Sequence, residues 1–217
     1  MWLRLFHIIK KDFVIDKREK QSFLTSILYL TTITFVVFRL FGSMSKPMQI
    51  AIYWILLLFT TISFISSSFA LMGSKRRLYY YQLYDPAEIY ISRFFANFCK
   101  AIIIGGILLL LFRVFGDFIL EDLVLFSKSV ILTSLGITSA LTLVSTLTVF
   151  SSDQNTLLTV LSLPLLLPIL YLGIRVSMIA EKMVFDTAVN SNLLMLFGID
   201  LVMVVLGMVF ISLTWKA

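Results

Sequence analysis

Charge is scarce in this chain, and cysteine, histidine and proline are scarcer still. The single cysteine, Cys99, excludes an internal disulfide, and with His7 the only histidine no Cys/His cluster remains to make a structural zinc site. Charged residues make up 14% of the 217, against roughly a quarter in soluble domains, while 59% are hydrophobic and the mean hydropathy is +1.00. Bulk water is not the main solvent of such a chain. No G-x-x-x-x-G-K-[ST] run is present, so the loop whose backbone amides cradle nucleotide phosphates is missing. Also missing are H-E-x-x-H, a catalytic pair of carboxylates, and a serine in a glycine-rich frame with a base. The chain is therefore not expected to be an enzyme or to hold a metal.

What is present is a succession of apolar runs, each near the roughly 20 residues a helix needs to cross a bilayer. Six spans are predicted, at about 23–41, 48–72, 97–115, 125–150, 156–178 and 193–215, in one membrane domain with no soluble domain. Residues 1–20 are different. On a helix Trp2, Phe6, Ile9 and Phe13 form one apolar stripe, with Arg4, His7, Lys11 and Arg18 on the other side. That pattern predicts an interfacial helix, and its charges interrupt any signal-peptide core. His7 then sits among lipid headgroups, not at a haem or metal.

Several features inside the spans bear on function. Ser63 and Ser67 stand four apart in the second, and Gly105 and Gly106 lie at the centre of the third. In the fourth, Ser134, Thr138, Thr142 and Ser145 place four hydroxyls on one face. Two readings fit them: bonding back to carbonyls a turn earlier, or lining a passage. The fifth span carries Ser162, Pro164 and Pro168 in SLPLLLP, where each proline removes a helical donor. In the sixth, Asp200 lies eight residues past Asn192, about 12 Å below the membrane boundary. A charge at that depth is costly, so an ion pair with Arg175 is expected, with a proton relay as the sharper alternative. Lys100, near a span end, is expected to snorkel.

Alternating the spans places Arg4, Lys10, Lys11, Lys17, Arg18, Lys20, Lys75, Arg76, Arg77, Arg93, Lys100 and Lys216 on one side, twelve of the eighteen basic residues. The basic excess marks the cytoplasmic side, so both termini are predicted there, and the +6 net charge reads as topology with no call on nucleic acid. Residues 73–93 form the one sizeable cytoplasmic surface between spans. Arg76, Arg77, Tyr79, Tyr80, Tyr81, Leu83 and Tyr84, ending at Pro86, combine residue types enriched at protein interface anchors. A docking surface is expected there; an aromatic belt at headgroup level is the simpler reading.

The order of features resembles the haem exporter protein B family, CcmB, of cytochrome c maturation. The most specific stretches are SLPLLLP at 162–168 and RRLYYYQLYDPAEIYISRFFANFCK at 76–100, the latter similar to Bacteroidetes members. The resemblance implies an all-α, ABC-2-like permease of the bacterial inner membrane with an N-terminal elbow helix. It also implies a coupling helix between spans two and three that sits on a separate ATPase, CcmA, which binds the ATP. CcmC, CcmD and the haem chaperone CcmE are the further partners implied, besides the bilayer itself. Haem is implied as a handled ligand, with no cofactor held by this chain; its contacts are attributed to a tryptophan-rich signature of CcmC that Trp2, Trp54 and Trp215 do not reproduce. The family's coupling region is often richer in leucine than this tyrosine run. An exporter subunit for a drug, lipid or polysaccharide remains the alternative, ahead of an intramembrane enzyme or a passive scaffold.

Overall fold

The computed structural model describes residues 17–42, 44–70, 85–148, 154–184 and 188–214, and all regular structure among them is α-helical. The helices are α1 (Lys17–Phe41), α2 (Lys46–Ala70), α3 (Pro86–Gly116), α4 (Leu123–Thr148), α5 (Gln154–Ala180) and α6 (Val189–Thr214). Each is long and apolar enough to cross a bilayer. An apolar segment in lipid has no water to satisfy its amides, so it must bond them internally, and the helix does so. Residues 1–16 of the predicted interfacial helix lie outside the described residues, and Lys17–Lys20 begin α1.

The third helix differs most from its predicted bounds. It begins at Pro86, not Asn97, and its 31 residues extend about 46 Å, more than the roughly 30 Å of hydrocarbon. Asp85 is extended and Pro86 occupies the first helical position, where its fixed φ fits and its missing N–H costs nothing. The last eight residues of the 73–93 segment are thus the first turns of α3, and Tyr90, Ser92 and Arg93 within them are buried. Polar and aromatic composition had suggested an exposed connection. Packing against α6 overrides it.

A ring of four helices, in the order α2, α5, α6, α3, encloses α4, and α1 lies outside it against α2 and α3. Enclosure explains the composition of α4. Every residue from Gly136 to Thr146 is buried, and seven of these eleven are glycine, alanine, serine or threonine, whose small side chains let neighbouring backbones approach. The outer helices instead turn Leu24, Leu28, Leu110, Val114, Leu194 and Leu213 outward, as lipid allows. On the face carrying the α1–α2, α3–α4 and α5–α6 connections, Phe38, Tyr53, Trp54, Phe112, Phe118 and Phe126 pack edge to face with centroids 4.9–6.1 Å apart. The connections are tight: Gly42 closes α1 in the left-handed region at φ +60°, its N–H donating to the Phe38 carbonyl. The Asp122 side chain accepts the Leu125 N–H at 2.9 Å to start α4.

Candidate functional site

The seam between α4, α5 and α6 holds the one acid in the interior of α6. Asp200 is fully buried. A side chain on Gly136 of α4 would strike Asp200 Oδ1 and come within 2.7 Å of Ile169 Cγ2 on α5, so the glycine makes room for the carboxyl group. Neither carboxyl oxygen receives a hydrogen bond from the described residues. The ion pair expected with Arg175 does not form. Ile169 is the α5 residue at the level of Asp200; Arg175 follows six residues later, about 9 Å along the axis and on another side of the helix.

Pro164 and Pro168 lie inside α5, which runs unbroken through both. Their helical phase turns them to the exposed face beside Leu161, Leu167 and Tyr171, while Ser162, Leu166 and Ile169 point into the bundle. Ser162 Oγ donates to the Thr159 carbonyl at 3.0 Å. The two halves of the S-L-P-x-x-x-P motif therefore face different surroundings: the serine faces protein, the prolines face outward.

The hydroxyl face of α4 resolves in favour of local bonding. Thr138 donates to the Ser134 carbonyl at 2.8 Å, Thr142 to the Thr138 carbonyl at 2.6 Å, and Ser145 to the Thr142 carbonyl at 2.6 Å. All four side chains are buried, and only the Ser134 hydroxyl lacks a partner. At these positions the nearest acceptor is the carbonyl one turn earlier in the same helix. In α2, by contrast, Ser63 is exposed. Of the paired glycines, Gly105 is closely packed, with Val130 Cγ1 2.9 Å from where a Cβ would stand, whereas Gly106 faces open space.

The connection face carries an ion cluster. Lys46 Nζ lies 2.9 Å from Glu181 Oε2 and 3.2 Å from Glu121 Oε1; Glu181 Oε1 accepts the Glu121 N–H at 3.2 Å, and Lys182 Nζ stands 3.6 Å from Glu121 Oε2. The Glu181 side chain is wholly buried, while those of Lys46 and Glu121 remain 41% and 45% exposed. The hydrogen bond from Lys46, then its charge and that of Lys182, hold the Glu121 carboxyl below the usual glutamate range. Beside the cluster is an open cavity of about 660 Å³ lined by Phe38, Met44, Lys46, Gln49, Phe115, Phe118 and Glu121 among others. Beneath it Trp54 Nε1 donates to Ser177 Oγ at 3.1 Å, and Ser129 and Ser177 both donate to the Gly173 carbonyl, at 2.9 and 2.8 Å. Alternation of the spans leaves Lys46 and Lys182 on the side opposite the basic excess, and no local pattern pairs them with Glu121 and Glu181. The available signal was that three connections sharing a face carry opposite charges.

Of the predicted docking residues, Arg76, Arg77, Tyr79, Tyr80, Tyr81, Leu83 and Tyr84 lie outside the described residues. Pro86 is placed at the head of α3. Among the described residues no group of three His, Cys, Asp or Glu could hold a metal ion.

Among the described residues, six apolar helices, one enclosed by four others, define a multi-pass helical membrane protein. Comparison with protein families makes this more specific: the model of the CcmB protein matches residues 3–214, nearly the whole chain, and the chain belongs to the CcmB family. That family is the permease subunit of the haem-exporter ABC system of cytochrome c biogenesis. No curated protein and no solved structure matches the chain.

Proposed function

We propose that this chain is the membrane subunit through which a separate P-loop ATPase, the CcmA-type partner, drives haem handling in cytochrome c maturation in the bacterial inner membrane. The observation that carries this reading is the CcmB family match over residues 3–214 in a chain that contains no P-loop. The motor then has to come from outside. The ATPase seats on residues 73–84, where Arg76, Arg77, Tyr79, Tyr80, Tyr81, Leu83 and Tyr84 offer basic and aromatic anchors on the cytoplasmic side.

Force applied there enters α3 directly, because Pro86 begins a single 31-residue helix that runs from that segment to the opposite face. Tyr90 in its second turn packs where a Gly207 side chain would stand, so α3 and α6 are engaged at the point of entry. CcmC-type and CcmD-type membrane subunits complete the complex, which releases the haem-loaded CcmE-type chaperone. Haem is the handled ligand, held mainly by the CcmC-type partner. Purification of the tagged chain from native membranes tests the assembly: a P-loop ATPase and a tryptophan-rich haem-handling subunit should accompany it. An ATPase without such a companion would instead assign the chain to export of a drug, lipid or polysaccharide.

A further inference from the structure

Asp200 is fully buried, yet neither of its oxygens has a hydrogen-bond partner among the described residues. Its surroundings on α4 and α5 are the backbone of Gly136 and the Ile169 side chain. The third neighbour follows from register. Gly207 packs on Tyr90, and Asp200 lies seven residues before Gly207 as Asn97 lies seven after Tyr90. Two helical turns along each of these antiparallel helices bring Asp200 and Asn97 to one level of the α3–α6 seam. Asn97 is also buried, and its Nδ2 has no partner.

Charged or titratable groups also lie on the packed elements. On α4 the nearest is Lys128, eight residues before Gly136; on α5 they are Tyr171, two residues after Ile169 but exposed on the outer face, and Arg175, six after it; α6 carries no other among 192–214. On α3 they are Cys99, two residues from Asn97, then Lys100 and Arg93, three and four residues away on its own face, and Tyr90 against Gly207. None donates a hydrogen bond to the Asp200 carboxyl. A carboxylate with no donor among the described residues, deep in a bilayer, is the least favourable form of the side chain, and taking up a proton removes the charge.

We propose that Asp200 is a proton-binding site within the membrane, occupied as a neutral carboxylic acid in the packing described here. The room left by Gly136 accommodates the acid without a counter-ion. The site is independent of which ATPase drives the chain, and its failure would leave the docking reading untouched.

Infrared difference spectroscopy of the purified full chain in lipid nanodiscs tests it. At pH 7 the wild type minus Asp200→Asn spectrum should show the carbonyl band of a neutral carboxylic acid, equivalent to one carboxyl per chain. Asp200→Glu should restore the band at a shifted position, and this comparison serves alone if the Asn variant does not fold. Raising the pH should diminish the band about tenfold per unit beyond its midpoint. Replacing choline chloride by sodium chloride should leave it unchanged. Superimposable carboxylic regions in wild type and variants would overturn the proposal. Loss of the band on adding sodium at constant pH would overturn it too, assigning the site to a cation.

Discussion

The close crossing of α5 and α4 at Gly173 yields a quantitative test. A Cβ on Gly173 would strike Thr133 Oγ1 and lie 2.9 Å from Thr133 Cγ2 and 3.1 Å from its Cβ. All three are obstructed at once, and a β-branched side chain in a helix has little rotameric freedom to escape. Gly173→Ala gains about 1 kcal/mol in helix propensity but overpacks the crossing at about 1–3 kcal/mol. It also pushes α4 from the carbonyl that accepts the Ser129 hydroxyl at 2.9 Å, a bond worth about 1 kcal/mol. A net destabilisation of about 1–3 kcal/mol follows. Thr133→Ala should be close to neutral, because the methyl it loses, worth about 1 kcal/mol, is offset by removing a buried hydroxyl that has no partner. In the double variant the added methyl then has room, so most of the loss should return. Reversible unfolding in mixed micelles with rising dodecyl sulfate measures all three against wild type. Gly173→Ala as stable as wild type, or no recovery in the double variant, would refute the reasoning.

Trp54→Phe removes the donor to Ser177 and should cost about 1 kcal/mol in the same unfolding assay. Because Asp200 and Arg175 do not bond, a double-mutant cycle of Asp200→Asn with Arg175→Gln should give a coupling below about 0.5 kcal/mol; more than about 1 kcal/mol would restore the ion pair. The Glu121 carboxyl titrates lower in the folded chain than in the unfolded one, so its contribution is complete above the ordinary glutamate range and is lost as the pH falls through the depressed folded value. Thermal stability should therefore decline on the acid side of that range, and Glu121→Gln should flatten the decline. Since Glu121 and Lys46 are partly exposed, raised salt should weaken the effect.

Much of the bundle was legible because a transmembrane helix is specified by length and apolarity, which are local properties. The start of α3 was not, since Tyr90, Ser92 and Arg93 look like surface residues until α6 is packed against them. The back-bonding of Thr138 and Thr142 was one of two readings at their spacing, and burial of α4 on all sides decides it. Asp200 was recognised by its depth, but its partner was misassigned because Arg175 shares its half of the membrane without sharing its level. The cluster of Lys46, Glu121 and Glu181 joins residues far apart in sequence, and no local pattern announces it.

Dependence on a borrowed motor is tested most directly by the affinity of the purified CcmA-type ATPase for this chain in nanodiscs. Wild type should bind it, and replacing Tyr79, Tyr80 and Tyr81 together by alanine should weaken binding at least about tenfold, or about 1.4 kcal/mol, with insertion intact. Undiminished binding by the triple variant would contradict the account.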